Sequence, residues 1–219
     1  MRGTYLCPIE LPANLIDRLV PDPLQQLLEI SESRREAFQD RRESASLEQF
    51  VASDHRLVYQ TLAWIEQAQL ATGRRFIEWG CGFAVNSCLA ASLGWDVIAV
   101  DVEPELILQA SQIVEIWHQP VELHCGNFLP RGAESLADDP YLLALGHPAE
   151  PIYETAGLDL EDFDVVFFYP WPGERHFIER VFMRFAAHGA LLVCYRGPYE
   201  ITVHQKRRQR GANVGAVRK

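Results

Sequence analysis

Apolar positions along this chain alternate between two rhythms. Short runs rich in β-branched and aromatic side chains recur at residues 76–77, 97–100, 121–125, 164–169 and 190–195, with a sixth candidate at 201–205. Near-continuous apolar runs of this length are expected of strands covered on both faces. Between them lie stretches with helical spacing and stop signals. Residues 84–93 are rich in small and apolar side chains and are closed by Gly94; residues 104–117 open on a proline; residues 174–187 end at His188-Gly189. Upstream, residues 24–43 predict a charged helix with a narrow stripe of Leu24, Leu27, Leu28 and Ile30. Residues 47–70 predict a second helix, with Leu47, Phe50, Val51, Val58, Leu62 and Ile65 mostly on one face. The first 22 residues, with prolines at 8, 12 and 21, read as irregular. Residues 130–162 exceed a plain connection and predict one short helix near 138–145, the remainder being loop.

Strand and helix alternating in this way predict an α/β protein, a doubly wound, mostly parallel sheet with helices on both faces. The expected division is an N-terminal helical cap at 1–72, a core at 73–205 and a basic tail at 206–219. Only 24 residues follow Tyr195, so the C-terminal end of the sheet is expected to be abbreviated.

Composition adjusts this picture in a few places. At 219 residues and 48% hydrophobic, the chain can bury a sizeable core. Of its 20 basic residues six fall in 206–219, which holds no acid, so residues 1–205 carry 14 basic against 30 acidic side chains. A body that acidic disfavours nucleic acid as a partner, and the basic tail reads as a solvated terminus. No apolar run approaches the ~20 residues needed to span a bilayer. The opening residues hold prolines and a glutamate where a secretory leader has its apolar segment, and the five cysteines show no pairing pattern. The expected location is the cytoplasm. The seven histidines show no metal-ligand spacing with one another or with the cysteines, so no metal site is expected.

The candidate chemistry lies between the strands at 76–77 and 97–100. The connecting turn reads Glu78-Trp79-Gly80-Cys81-Gly82-Phe83-Ala84-Val85, and Asp101 stands where the next strand stops. A dinucleotide fingerprint requires glycine at the position of Val85, where a valine crowds the helix–strand contact. Read instead as acid-x-Gly-x-Gly-x-small, the run resembles motif I of the class I S-adenosylmethionine (SAM) methyltransferases, with Ala84 in place of the third glycine. A carboxylate at Glu78 suits an ammonium and repels a pyrophosphate. That resemblance implies SAM as cofactor, Glu78 at its methionine end, Asp101 at the ribose, and Asn127 and Phe128 at the adenine. Trp79, Gly80, Gly82 and Val102 stand beside them among the cofactor contacts. It also implies an antiparallel hairpin and a helix after the fifth strand, for which this chain has little room.

The family places its acceptor-side motif after the fourth strand. Here that segment is Phe168-Tyr169-Pro170-Trp171-Pro172-Gly173-Glu174 rather than N/D-P-P-Y/F/W. Tyr169 is the candidate catalytic residue, since its hydroxyl can donate or accept one hydrogen bond; the alternative is that the prolines merely turn the chain. Residues 49–54, Gln49-Phe50-Val51-Ala52-Ser53-Asp54, are similar to the F-V-P-S/T segment of small Dot1-like protein lysine methyltransferases, without the proline. The resemblance thus implies a methyltransferase acting on an unidentified acceptor, a small molecule or a protein side chain. A non-catalytic module that binds SAM or a nucleoside remains the alternative.

Overall fold

The computed structural model describes residues 3–40, 52–147 and 149–209. Its strands are β1 (Thr4–Ile9), β2 (Arg75–Trp79), β3 (Asp96–Asp101), β4 (Val121–Cys125), β5 (Val165–Phe168), β6 (Leu191–Gly197) and β7 (Glu200–Arg208). The helices of the α type are α1 (Asp22–Asp40), α2 (His55–Gln67), α3 (Val85–Ser92), α4 (Pro104–Trp117), α5 (Ile152–Ala156) and α6 (Arg175–Phe185). All seven strands join one sheet in the order β1-β7-β6-β5-β2-β3-β4. The pairs β2–β3, β2–β5, β3–β4 and β5–β6 are parallel, whereas β7 runs antiparallel to both β6 and β1.

Period-two alternation distributes each central strand between two cores. Phe76, Val97, Val165, Phe167 and Val193 point to one face, where Leu57, Val58, Leu62 and Ile65 of α2 cover them. Ile77, Trp79, Ile98, Val166 and Phe168 point to the other, under α5 and α6. Helices α1, α3 and α4 add a third cluster on the α2 side, including Leu28, Phe38, Leu89 and Ile113. The parallel arrangement brings the carboxyl ends of β2, β3, β4 and β5 to one edge, and the candidate residues fall there.

The irregular reading of the first 22 residues is corrected: residues 4–9 form β1, which among the described residues is an edge strand paired with β7. Its Pro8 is tolerated because an edge strand leaves one row of amides outside the ladder. Among the described residues one strand, β7, follows β6. The sheet is nonetheless not short of a strand, because the N-terminus fills the outermost place. The strand predicted at 201–205 extends to Arg208, so residues 206–208 belong to the sheet. Lys206 is buried there, its ammonium donating to the Ala186 carbonyl. Residues 210–219, most of the expected tail, lie outside the described residues.

Helix α2 begins later than its apolar pattern suggests. Asp54 caps it, accepting from the amides of Arg56 (3.0 Å) and Leu57 (3.1 Å), and Ala52 and Ser53 precede it as non-helical chain. Residues 47–51 lie outside the described residues, as do 41–43 at the far end of α1. In the 130–162 segment the expected helix at 138–145 is one turn of 3-10 helix at Leu143–Leu145, whereas α5 forms in what reads as loop. Five residues are too few to carry a period; burial of Ile152 and Tyr153 in the core fixes α5 instead. No described helix is long and apolar enough to cross a membrane.

Candidate functional site

Between β2 and α3 the backbone turns through three left-handed residues, Gly80 (φ 71°), Gly82 (φ 54°) and Ala84 (φ 56°). The amides of Gly80 and Cys81 both donate to the Val100 carbonyl at 2.9 Å, which ties the turn to the end of β3. A Cβ added at Gly80 would meet no atom within 4 Å, so open space adjoins the backbone at that point. Ala84 tolerates its positive φ where only a small side chain fits; its methyl packs with Cys81, Ala99 and Ala110. Val85 caps none of this and packs with Phe83 and Leu89.

Both predicted carboxylates flank the turn, and both are buried. Asp101 holds it from within: Oδ2 accepts from the Gly82 amide (2.8 Å) and Oδ1 from the Glu103 amide (3.0 Å). Each oxygen retains a second lone pair for a hydroxyl group. Burial pushes its pKa up, against those two amides. Glu78 faces α3 instead. Its Oε1 accepts from Asn86 Nδ2 (2.9 Å) and its Oε2 from Ser87 Oγ (2.5 Å). Burial pushes the Glu78 pKa up to about 7, with Ser87 and Asn86 favouring the charged form and Asp101 opposing it. Asn86 and Ser87 were not singled out by sequence. The legible signal was two adjacent polar residues in the first turn of a mostly apolar helix, eight and nine positions after an acid.

A cleft of about 40 Å³ opens beside Glu78, with Gly80, Ser53, His55, Tyr169 and Arg35 among the residues that line it. It is far narrower than the roughly 300–1,000 Å³ of ordinary ligand clefts, because α1 and residues 52–55 lie over it. Ser53 accepts from Asn86 Nδ2 at 3.0 Å, and His55 Nδ1 lies 2.8 Å from Asn86 Oδ1. Tyr169 thus shares the cleft with Glu78, its ring edge-on to Tyr195 at 4.8 Å. Of the segment at 49–54, residues 49–51 lie outside the described residues, and Ala52 and Ser53 line this cleft.

At the exit of β4 the side chains turn inward. Asn127 Oδ1 accepts from the Leu129 amide (2.9 Å), while its backbone bridges to Pro151. Phe128 is stacked on Trp79 (5.1 Å, 20°) and leans on Phe168, so its ring lies in the core rather than in the cleft. Trp79 is likewise buried, donating to the Tyr153 hydroxyl (3.2 Å). Gly126 is required by proximity: a Cβ there would lie 2.6 Å from Ile152 Cγ2. A second hollow of about 290 Å³ adjoins Asn127, lined also by Arg131, Glu134 and Glu150. Val102 is half-buried beyond Asp101 and accepts a weak bond from the Cys125 thiol. After β5, Glu174 is buried and accepts from the Ala144 amide (2.7 Å), and its Oε2 has no hydrogen-bond partner among the described residues. That bond clamps the 130–162 segment onto the loop that carries Tyr169.

No protein-family model matches the chain. Ribosomal protein L11 methyltransferases of Bordetella parapertussis and Bordetella bronchiseptica are 29% identical over 84 residues, 38% of this chain and 27% of theirs. Among solved structures, an O-methyltransferase from Bacillus cereus in complex with SAH aligns with a TM-score of 0.51 at 14% identity. That alignment covers 82% of this chain and 69% of that one. A methyltransferase from Geobacter sulfurreducens aligns at 0.49 with 18% identity, over 88% of this chain and 94% of that one. The chain has the class I SAM-dependent methyltransferase fold, a seven-strand sheet with β7 antiparallel.

Proposed function

We propose that this chain is a SAM-dependent methyltransferase whose acceptor is a small molecule or a protein side chain. One observation carries the reading: a left-handed glycine turn with open space beside Gly80, flanked by the buried carboxylates of Glu78 and Asp101. The donor set suits the cofactor. An ammonium beside Glu78 supplies the positive charge that a buried carboxylate lacks. The free lone pairs of Asp101 accept from ribose hydroxyls, in charge-assisted bonds of about 1.5–3 kcal/mol. When bound, SAM supplies a methyl group already activated by positive sulfur. The protein's part is then to orient the acceptor and exclude water, and such positioning can account for roughly 7–11 kcal/mol of a barrier. Tyr169 lines the Glu78 cleft, where its hydroxyl suits a hydrogen bond to an acceptor, and its ring packs edge-on against Tyr195.

Calorimetric titration with S-adenosylhomocysteine (SAH) tests the reading. Wild type binds; Asp101→Ala, which strands the Gly82 and Glu103 amides as well as removing the ribose partner, weakens binding at least 30-fold. Absence of both heat and a melting shift at millimolar ligand overturns it. The narrow cleft favours a second reading, a module that holds the cofactor without an acceptor. Transfer of label from [methyl-³H]SAM to protein or small-molecule pools separates the two. The similarity to ribosomal protein L11 methyltransferases is a reason to include proteins in that pool.

A further inference from the structure

We propose that His55 is the proton acceptor of this site, fixed with its hydrogen on Nδ1 and a lone pair on Nε2 available to the cleft. The inference rests on the methyltransferase reading for its chemistry, but its structural basis is independent of any ligand. It follows from a chain of three side chains. Asn86 Nδ2 lies 2.9 Å from Glu78 Oε1, and whenever Glu78 is ionised its carboxylate only accepts, so that the Asn86 amide cannot then turn over. Its oxygen therefore faces His55 Nδ1 at 2.8 Å. An amide oxygen cannot donate, so Nδ1 must carry the hydrogen, and the neutral ring keeps its lone pair on Nε2. No described residue bonds that Nε2, and His55 lines the cleft together with Tyr169 and Glu78.

The surroundings keep the ring neutral until a proton arrives. Burial lowers the pKa of His55; Asn86, Glu32 and Asp54 pull it back, and Arg35 adds to the lowering. As the first residue of α2, His55 also meets the positive end of that helix. Glu32 and Arg35 come from α1, Asp54 from the cap of α2 and Asn86 from α3; Glu78 at the end of β2, Cys81 after it and Tyr169 after β5 line the same cleft. The proton transfer is balanced. An acceptor's bond to hydrogen breaks with its electron pair remaining on the acceptor, the proton passes to Nε2, and the resulting imidazolium returns it to water. Glu78 links this device to the cofactor site. With a pKa of about 7 it is only partly ionised near neutrality. An ammonium held beside it keeps it charged, which in turn locks Asn86 and the tautomer of His55.

Long-range ¹H–¹⁵N correlation on the full chain labelled with ¹⁵N-histidine, with His55→Gln giving the assignment, tests this directly. At pH 7 the His55 signals should be those of a hydrogen-bearing Nδ1 and a bare Nε2. Its titration midpoint should lie below the ordinary histidine value of about 6.5, and Asn86→Leu should abolish the single tautomer. With SAH bound, the tautomer should persist to lower pH than without it. His55→Gln should bind SAH within threefold of wild type while transferring label from [methyl-³H]SAM to a cell extract about 100-fold more slowly, the usual contribution of a positioned base being roughly 10²–10⁴. An Nε2–H tautomer or an imidazolium at pH 7, or undiminished transfer by His55→Gln, overturns the proposal. Failure of wild type to bind SAH would instead overturn the methyltransferase reading, while leaving the tautomer measurement interpretable.

Discussion

Two exits of the same sheet treat their polar groups in opposite ways. At the ends of β2 and β3 the carboxylates of Glu78 and Asp101 are buried at a cost, and the backbone beside them stays open. At the end of β4 the amide of Asn127 satisfies its own turn, and Phe128 completes an aromatic stack with Trp79 and Phe168. The first exit holds buried carboxyl groups whose pKa values burial raises. The second holds the fold together. Burying an ionised carboxylate destabilises a protein unless something compensates, so the first exit is where a cationic and hydroxyl-bearing ligand is to be sought.

The largest test of this contrast is Phe128→Ala. Removing a buried ring from that stack should cost about 3–5 kcal/mol. For a chain of this size that lowers Tm by roughly 2–4 °C per kcal/mol, while SAH affinity of the folded fraction changes less than threefold. A variant that stays stable and loses SAH binding would move Phe128 from the core to the cleft and erase the distinction.

Glu78→Gln probes the other side. The Glu78 pKa stands at about 7 in the folded chain against an ordinary 4.5, so the unfolded state gives up its proton first as pH rises. Stability from this group is therefore greatest below pH 4.5 and is lost as pH rises to about 7, at up to about 1.4 kcal/mol per pH unit. Asp101 and Glu174, whose carboxyls burial also raises, add slopes of the same sign. Urea unfolding across pH 5–8 should show a shallower fall for Glu78→Gln than for wild type. The variant should be the more stable protein at pH 8 and the weaker SAH binder. Parallel slopes for the two proteins would mean that Glu78 is charged throughout.

The smallest effect belongs to the turn itself. Ala84→Gly relieves a left-handed residue, worth roughly 1–2 kcal/mol, and removes a buried methyl worth about 0.8 kcal/mol. These oppose each other, so a melting shift of only a few degrees is expected. A loss of several kcal/mol would show that the methyl against Ala99 and Ala110 matters more than the backbone.

The difference in legibility between the two exits has a physical origin. A glycine turn between acids is local: backbone angles, a small residue and two carboxylates within one β-α-β unit announce themselves in sequence order. Asn86 and Ser87 are nearly as local, being read off α3 once Glu78 is known to face it. Phe128, by contrast, can lie against a ligand or against Trp79 with the same neighbours in sequence, and only packing across the sheet separates the two. His55 lies farther away still, on the first turn of α2, and meets Asn86 through the layering of helices over the sheet.

What the sequence by itself determined was the alternation of buried strands and helices, the glycine turn with Glu78 and Asp101, and hence the parallel α/β core. These follow from short-range periodicity and backbone freedom, which few residues specify. Only the tertiary structure decided that residues 4–9 complete the sheet, that Lys206 is buried within it, that Trp79 and Phe128 serve the core, and that His55 joins Glu78 through Asn86. Each of these depends on groups far apart in the chain competing for the same buried space, and no local pattern records which of them wins.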